Sequence, residues 1–173
     1  MSTAATLTID ALNRMDREQF RARLGDVFED SPWVADRAWE ARPFPTVEAL
    51  HAALRTVVTR ASEGERLALL RAHPDLAGRA VPAGAMSASS VAEQATAGLD
   101  RLTDEEFARF ERLNAAYRER FGFPFIIAVR RHDKHAVLAA YERRLAHTRE
   151  GEIEAALGQV FEITAIRLAA RVH

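Results

Sequence analysis

The 173-residue sequence predicts an all-α protein, a single-domain bundle of about eight helices, and three observations carry that prediction. Apolar residues recur at intervals of three and four along most of the chain. Caps of serine, threonine or aspartate stand ahead of those runs, and proline or glycine follows them. Only Phe123 to Val129 has the apolar, aromatic and β-branched character of a strand, and no second run is there to pair with it.

Asp16 with Gln19 forms the first capping box, opening a helix whose Phe20, Leu24, Val27 and Phe28 share a face. Ser31-Pro32 reads as an N-cap followed by proline at the first helical position, with the helix running from Trp33 to Ala41 and ending before Pro43 and Pro45. Thr46 caps the next helix, which carries Val47, Leu50, Leu54, Val57 and Val58. Glu63 to His73 follows, with Leu67, Leu69 and Leu70 apolar, and it stops at Pro74 because proline disfavours helical geometry in the residue before it. Pro74 to Met86, rich in proline, glycine and small residues, reads as a loop, and Ser87 to Ala97 as a short polar helix. Thr103 with Glu106 makes a second capping box for a long helix ending at Gly122, with Phe107, Phe110, Leu113, Ala116 and Tyr117 as its expected core stripe. Phe123 to Val129 is then a buried extended connection, and Asp133 to His147 and Glu150 to Val172 are amphipathic helices.

The length suits one domain over residues 1–173. With 48% hydrophobic and 28% charged residues, the composition is that of an ordinary globular chain. A formal net charge of −1, with both signs interspersed, gives no electrostatic footprint for nucleic acid. The local excess at Arg130, Arg131, Arg143 and Arg144 reads as a solvated helix face. No apolar stretch approaches the ~18 residues of a membrane span, so no membrane partner is expected. The absence of cysteine removes disulfide and thiolate chemistry and cysteine-based metal sites. The N-terminus lacks the pattern of a secretory leader and Arg171-Val172-His173 lacks a peroxisomal address, so the expected location is cytoplasmic.

Without cysteine, proton transfer near neutral pH falls chiefly to the six histidines. His51, His132, His135 and His147 lie among charged residues of predicted helices, where surface positions are expected, and His173 is terminal. His132 and His135 are three apart, but one pair is too few ligands for a metal, and none is assigned. His73 differs in combining a helix C-terminus, a following proline and an aspartate two residues on. A helix C-terminus favours imidazolium by about 0.3–1 kcal/mol. On position alone, a helix-capping histidine is the simpler reading.

Downstream, Ser90, Glu93 and Gln94 fall along one helical face, offering a hydroxyl, a carboxylate and an amide to a small, nitrogen-rich molecule; on spacing alone an exposed polar face is the simpler reading. Phe121 to Arg130 is an irregular apolar run whose backbone groups need partners, with Arg130 as an anion clamp at its end; a core-crossing connection with an exposed arginine is the equal alternative.

In order and spacing, Ser31-Pro32-Trp33-Val34, Arg42-Pro43-Phe44, Ala72-His73-Pro74-Asp75-Leu76-Ala77-Gly78, Ser90 to Gln94 and Phe121 to Arg130 together resemble the 2-oxo-4-hydroxy-4-carboxy-5-ureidoimidazoline (OHCU) decarboxylase family over nearly the whole chain. The resemblance implies an all-α, cofactor-independent carboxy-lyase of urate degradation that produces (S)-allantoin from a small-molecule ureidoimidazoline, with a homodimer as its assembly. It implies His73 as catalytic proton donor and Glu93 as its acidic companion. Substrate contacts would come from Pro74, from Ser90, Val91, Ala92, Glu93 and Gln94, and from Phe125, Ile126, Ile127, Ala128 and Val129, the last segment largely through its backbone. Two rivals stand beside this reading: a helical interaction module without enzymatic activity, and a helical hydrolase or lyase acting on another ureido or purine-derived compound.

Overall fold

A computed structural model describes residues 7–77 and 86–173, and Gly78 with most of the expected Pro74 to Met86 loop lies outside those residues. Among the described residues the structure is all-α, with nine α-helices, two 3-10 turns and no strand beyond one isolated bridge between Leu7 and Val172. Its chain contacts resolve two compact units, one comprising Met1–Leu69 with Phe161–His173 and the other Leu70–Val160.

The first unit holds α1 (Ile9–Arg14), α2 (Arg17–Leu24), α3 (Trp33–Ala38), α4 (Val47–Arg60), most of α5 (Glu63–Arg71) and the end of α9 (Arg149–Arg171). The Asp16 and Gln19 capping box forms as expected at the start of α2. The α1 helix went unanticipated because its six residues are too short for periodicity to register. Ser31 is not a cap. Its hydroxyl donates to the Glu29 carbonyl at 2.8 Å, and Pro32 takes the N-cap position without a side-chain capping bond. The expected helix over 33–41 tightens after Ala38 into a 3-10 turn, Trp39–Ala41, ahead of Pro43. Leu12, Phe20, Leu24, Val27, Phe28, Leu50, Leu54 and Val58 form the core, whereas Val47 and Val57 are only partly buried. His51, expected at the surface, is half-buried with Nε2 3.0 Å from the Thr164 hydroxyl, and desolvation, then the charge of Arg55, lowers its pKa. An ion pair between Arg167 and Glu29, 3.0 Å long, is buried here on both sides.

The second unit begins at the end of α5 and contains α6 (Ala88–Thr96), α7 (Asp104–Phe121), α8 (Lys134–Arg144) and the start of α9. Thr103 and Glu106 close the expected capping box on α7, and Gly122 ends that helix at φ 81°, a left-handed geometry that glycine adopts without a Cβ clash. Replacing Thr103 by alanine is expected to cost about 1 kcal/mol of stability, read as a lowered denaturation midpoint. The core stripe of α7 differs from the expected one. Phe110, Asn114, Tyr117 and Phe121 are buried, Phe107 and Leu113 only partly so, and Ala116 is exposed. A polar residue, Asn114, occupies a core seat that apolar periodicity assigns to a neighbour. Tyr117 lies at the centre of a cluster with Phe121, Phe123, Phe125 and Tyr141. Phe125 and Tyr141 stack with centroids 3.7 Å apart and planes at 18°.

Candidate functional site

The second unit contains the three segments singled out above. The α5 helix ends at Arg71, two residues earlier than expected, and His73 sits in the turn beyond it, its backbone N–H donating to the Leu70 carbonyl at 3.2 Å. His73 is 7% exposed. Arg71 anchors the helix end by donating from Nε to the Gly122 carbonyl at 3.0 Å.

The chain after His73 is held at every residue from 75 to 77. Arg118 of α7 donates to the Asp75 carboxylate at 2.8 Å. Asn114 of the same helix donates from Nδ2 to the Leu76 carbonyl at 2.8 Å. Gln94 of α6 accepts from the Ala77 N–H at 3.0 Å and directs its own amide nitrogen to the Asp75 carbonyl at 3.4 Å. Ala77 adopts φ 57°, a left-handed conformation costing a non-glycine residue roughly 1–2 kcal/mol, which these contacts hold in place.

The Ser87 hydroxyl caps α6 by accepting from the Ser90 N–H at 3.1 Å. The helix turns Ser90, Glu93 and Gln94 inward, at 5%, 7% and 7% exposure, so the polar face is buried and not solvated. Val91 and Ala92 lie on its exposed side. The same helix packs against a 3-10 turn, Val129–Arg131, which ends the apolar connection. Every residue from Phe123 to Val129 is buried, while Arg130 is exposed. The Ile126 carbonyl accepts from Arg144 Nη1 at 2.6 Å, and the Ala128 N–H donates to Gln159 at 3.0 Å.

Arg144 corrects the expectation of a solvated arginine face. Arg130, Arg131 and Arg143 are exposed, but Arg144 is buried, donating from Nε to Glu152 at 2.5 Å with its guanidinium 4.3 Å from the Phe125 ring centroid. Glu152 is fully buried and also accepts from the Tyr117 hydroxyl at 2.5 Å, with His147 Nδ1 at 3.0 Å from its other oxygen. Desolvation, then the bond to Glu152, raises the Tyr117 pKa and keeps the phenol a donor. Asn114, Tyr141, Arg144 and Glu152 escaped the sequence reading because buried polar residues within a helical pattern look the same as surface ones. Among the described residues no group of three or more histidine, aspartate or glutamate side chains is placed to hold a metal ion.

A family model described as OHCU decarboxylase matches residues 13–169. The chain belongs to the OHCU decarboxylase family. It is 46% identical over 165 residues to the 2-oxo-4-hydroxy-4-carboxy-5-ureidoimidazoline decarboxylase of Haloferax volcanii, covering 95% of this chain and 96% of that protein. The protein of the same name in Mus musculus is 39% identical over 157 residues, covering 91% of this chain and 88% of that one. Among solved structures, a crystal structure of (S)-allantoin synthase superimposes with a TM-score of 0.78 at 35% identity, over 96% of this chain and about half, 54%, of that one. Decarboxylases are carboxy-lyases, and the family match runs through both units.

Proposed function

We propose that this chain removes CO2 from 2-oxo-4-hydroxy-4-carboxy-5-ureidoimidazoline to give (S)-allantoin in urate degradation, with His73 managing the proton of the substrate hydroxyl and Glu93 as its acidic partner. The reaction class is that of the family. The observation that carries the residue assignment is the clamp between α6 and the 75–77 segment, since Gln94 adjoins Glu93 on one side and its partner segment lies just after His73 on the other. Both side chains are buried, where a proton shared with a bound substrate is shielded from bulk water.

The substrate supplies its own electron sink, a C=N bond beside the carbon bearing both carboxylate and hydroxyl. As the bond to the carboxylate breaks, its electron pair forms a C=C bond, and the C=N π pair moves onto nitrogen, which takes up a proton. The resulting enol loses its hydroxyl proton while the ureido-bearing carbon gains one from a single face, fixing the configuration. No cofactor is needed for these steps, as no carbanion is left without delocalisation. His73, in the turn beyond α5, manages the hydroxyl proton as acid and base.

Pro74, Ser90, Gln94 and the backbone of Phe125, Ile126, Ile127, Ala128 and Val129 are assigned to substrate binding. The Gln94 oxygen already serves Ala77, so Gln94 acts at least in part by shaping the loop. Val91, Ala92 and Arg130, all exposed, are assigned to substrate binding as well, Arg130 as an anion clamp. One domain over residues 1–173, a homodimer and a cytoplasmic location complete the reading; the family match that crosses both units supports the single domain, and no helix among the described residues is long and apolar enough to cross a membrane. CO2 release from substrate freshly generated from urate is the test. The protein should accelerate it well beyond spontaneous decay, and equal rates with and without the protein would remove the assignment.

A further inference from the structure

Two candidate-site segments that are distant in sequence, the turn after His73 and the connection over 125–129, meet the same buried pair of side chains. Asn114 donates from Nδ2 to the Leu76 carbonyl at 2.8 Å, and its Oδ1 accepts a hydrogen bond from the Tyr141 hydroxyl. The ring of Tyr141 stacks on Phe125 at 3.7 Å. Asn114 is 9% exposed and Tyr141 fully buried, so neither bond is in competition with solvent. Resting on the decarboxylase reading, we propose that Tyr141, acting through Asn114, is a positioning residue that holds the His73 turn in register with the Phe125 to Val129 segment.

Each end of this link bears on a strained or polar element. Its Asn114 end fixes the carbonyl of Leu76, immediately before Ala77 at φ 57°, so releasing it frees a segment already under strain. Its Tyr141 end lies on the ring next to Ile126, whose carbonyl Arg144 holds from the same helix, α8. Burial, then the charge of Asp75, raises the Tyr141 pKa, so the hydroxyl remains a donor throughout the working range. Asn114 is suited to the middle position because an amide accepts at one atom and donates at the other, which no carboxylate or hydroxyl reproduces with this geometry.

The test is a kinetic cycle on the full chain with Tyr141→Phe, Asn114→Ser and the double variant, reading kcat and KM for (S)-allantoin formation together with thermal midpoints. Tyr141→Phe keeps the ring stacked and removes only the hydroxyl. Its kcat should fall about 10-fold, a fraction of the ~10²-fold that an ångström of misplacement costs. KM should change far less, and the double variant should be no slower than Asn114→Ser, because Tyr141 works through that residue. A wild-type kcat in Tyr141→Phe, whatever its midpoint, would overturn the proposal, as would losses that multiply in the double variant. Should Asn114→Ser not fold, the kcat against KM result for Tyr141→Phe decides alone. A wild-type protein without activity overturns the decarboxylase reading and this proposal together, whereas an active wild type, an inactive His73→Ala and an unimpaired Tyr141→Phe overturn only this one.

Discussion

Replacing His73 by alanine is expected to lower kcat for substrate decarboxylation by about 10²- to 10⁴-fold, the range typical of a positioned general acid or base. His73 lies in a turn, and its backbone bond to Leu70 does not involve the imidazole, so the helix end keeps that bond in the variant. The clamp on residues 75–77 is likewise made by Arg118, Asn114 and Gln94. With His73 as the acid and base of the reaction, activity should fall far more than stability. Steady-state kinetics beside a thermal melt measures both, and a variant that loses its fold in proportion to its activity would mark His73 as structural.

The largest stability effect is expected at Arg144. Its 2.5 Å pair with Glu152 has side-chain exposures of 6% and 0%, so Arg144→Leu leaves a buried carboxylate without its principal counter-charge. Removing one partner of such a pair costs about 3–5 kcal/mol. At about 2–4 °C per kcal/mol for a chain of this size, the thermal midpoint should drop by roughly 6–20 °C. Tyr117 and His147 remain on Glu152, and their bonds soften the loss without replacing the charge. Arg144→Leu also releases the Ile126 carbonyl, so the surviving folded enzyme should show a raised KM. Combining it with Glu152→Leu should recover a large part of the stability, because the lone charge is then gone, but not the KM, because Ile126 stays unfastened.

These residues also mark the boundary of what the sequence could disclose. Local chemistry announces itself: the Asp16 and Thr103 capping boxes and the Gly122 terminus follow from residues within a few positions of one another, and each forms, whereas the helix expected to run up to Pro74 ends at Arg71. Elements whose signal is weak or shared did less well. Ser31 has the chemistry of a cap, yet its hydroxyl finds the closer Glu29 carbonyl. The Trp33 to Ala41 pattern is helical throughout, yet splits into α and 3-10 turns.

At the site, spacing placed Ser90, Glu93 and Gln94 on one face but favoured a solvated one, and the structure buries it. The apolar character of 123–129 signalled burial, and all seven residues are buried. What spacing does not carry is the set of long-range partners. Asn114 lies 38 residues from the carbonyl it serves, and Arg144 lies 18 from Ile126. In a single sequence, both look like ordinary polar positions on amphipathic helices. Arg144 looked more ordinary still for standing next to the exposed Arg143.

On the proposed mechanism this fold sets the face from which the enol intermediate is protonated, with His73 at its centre. Uncatalysed protonation has no preferred face and yields a racemate. Circular dichroism of allantoin formed from freshly generated substrate therefore reads that facial control, with the wild-type protein, with His73→Ala and without protein. Optically active (S)-allantoin is expected from the wild type and racemic product from the other two. Racemic allantoin from the wild type, or (S)-allantoin at an undiminished rate from His73→Ala, would contradict it.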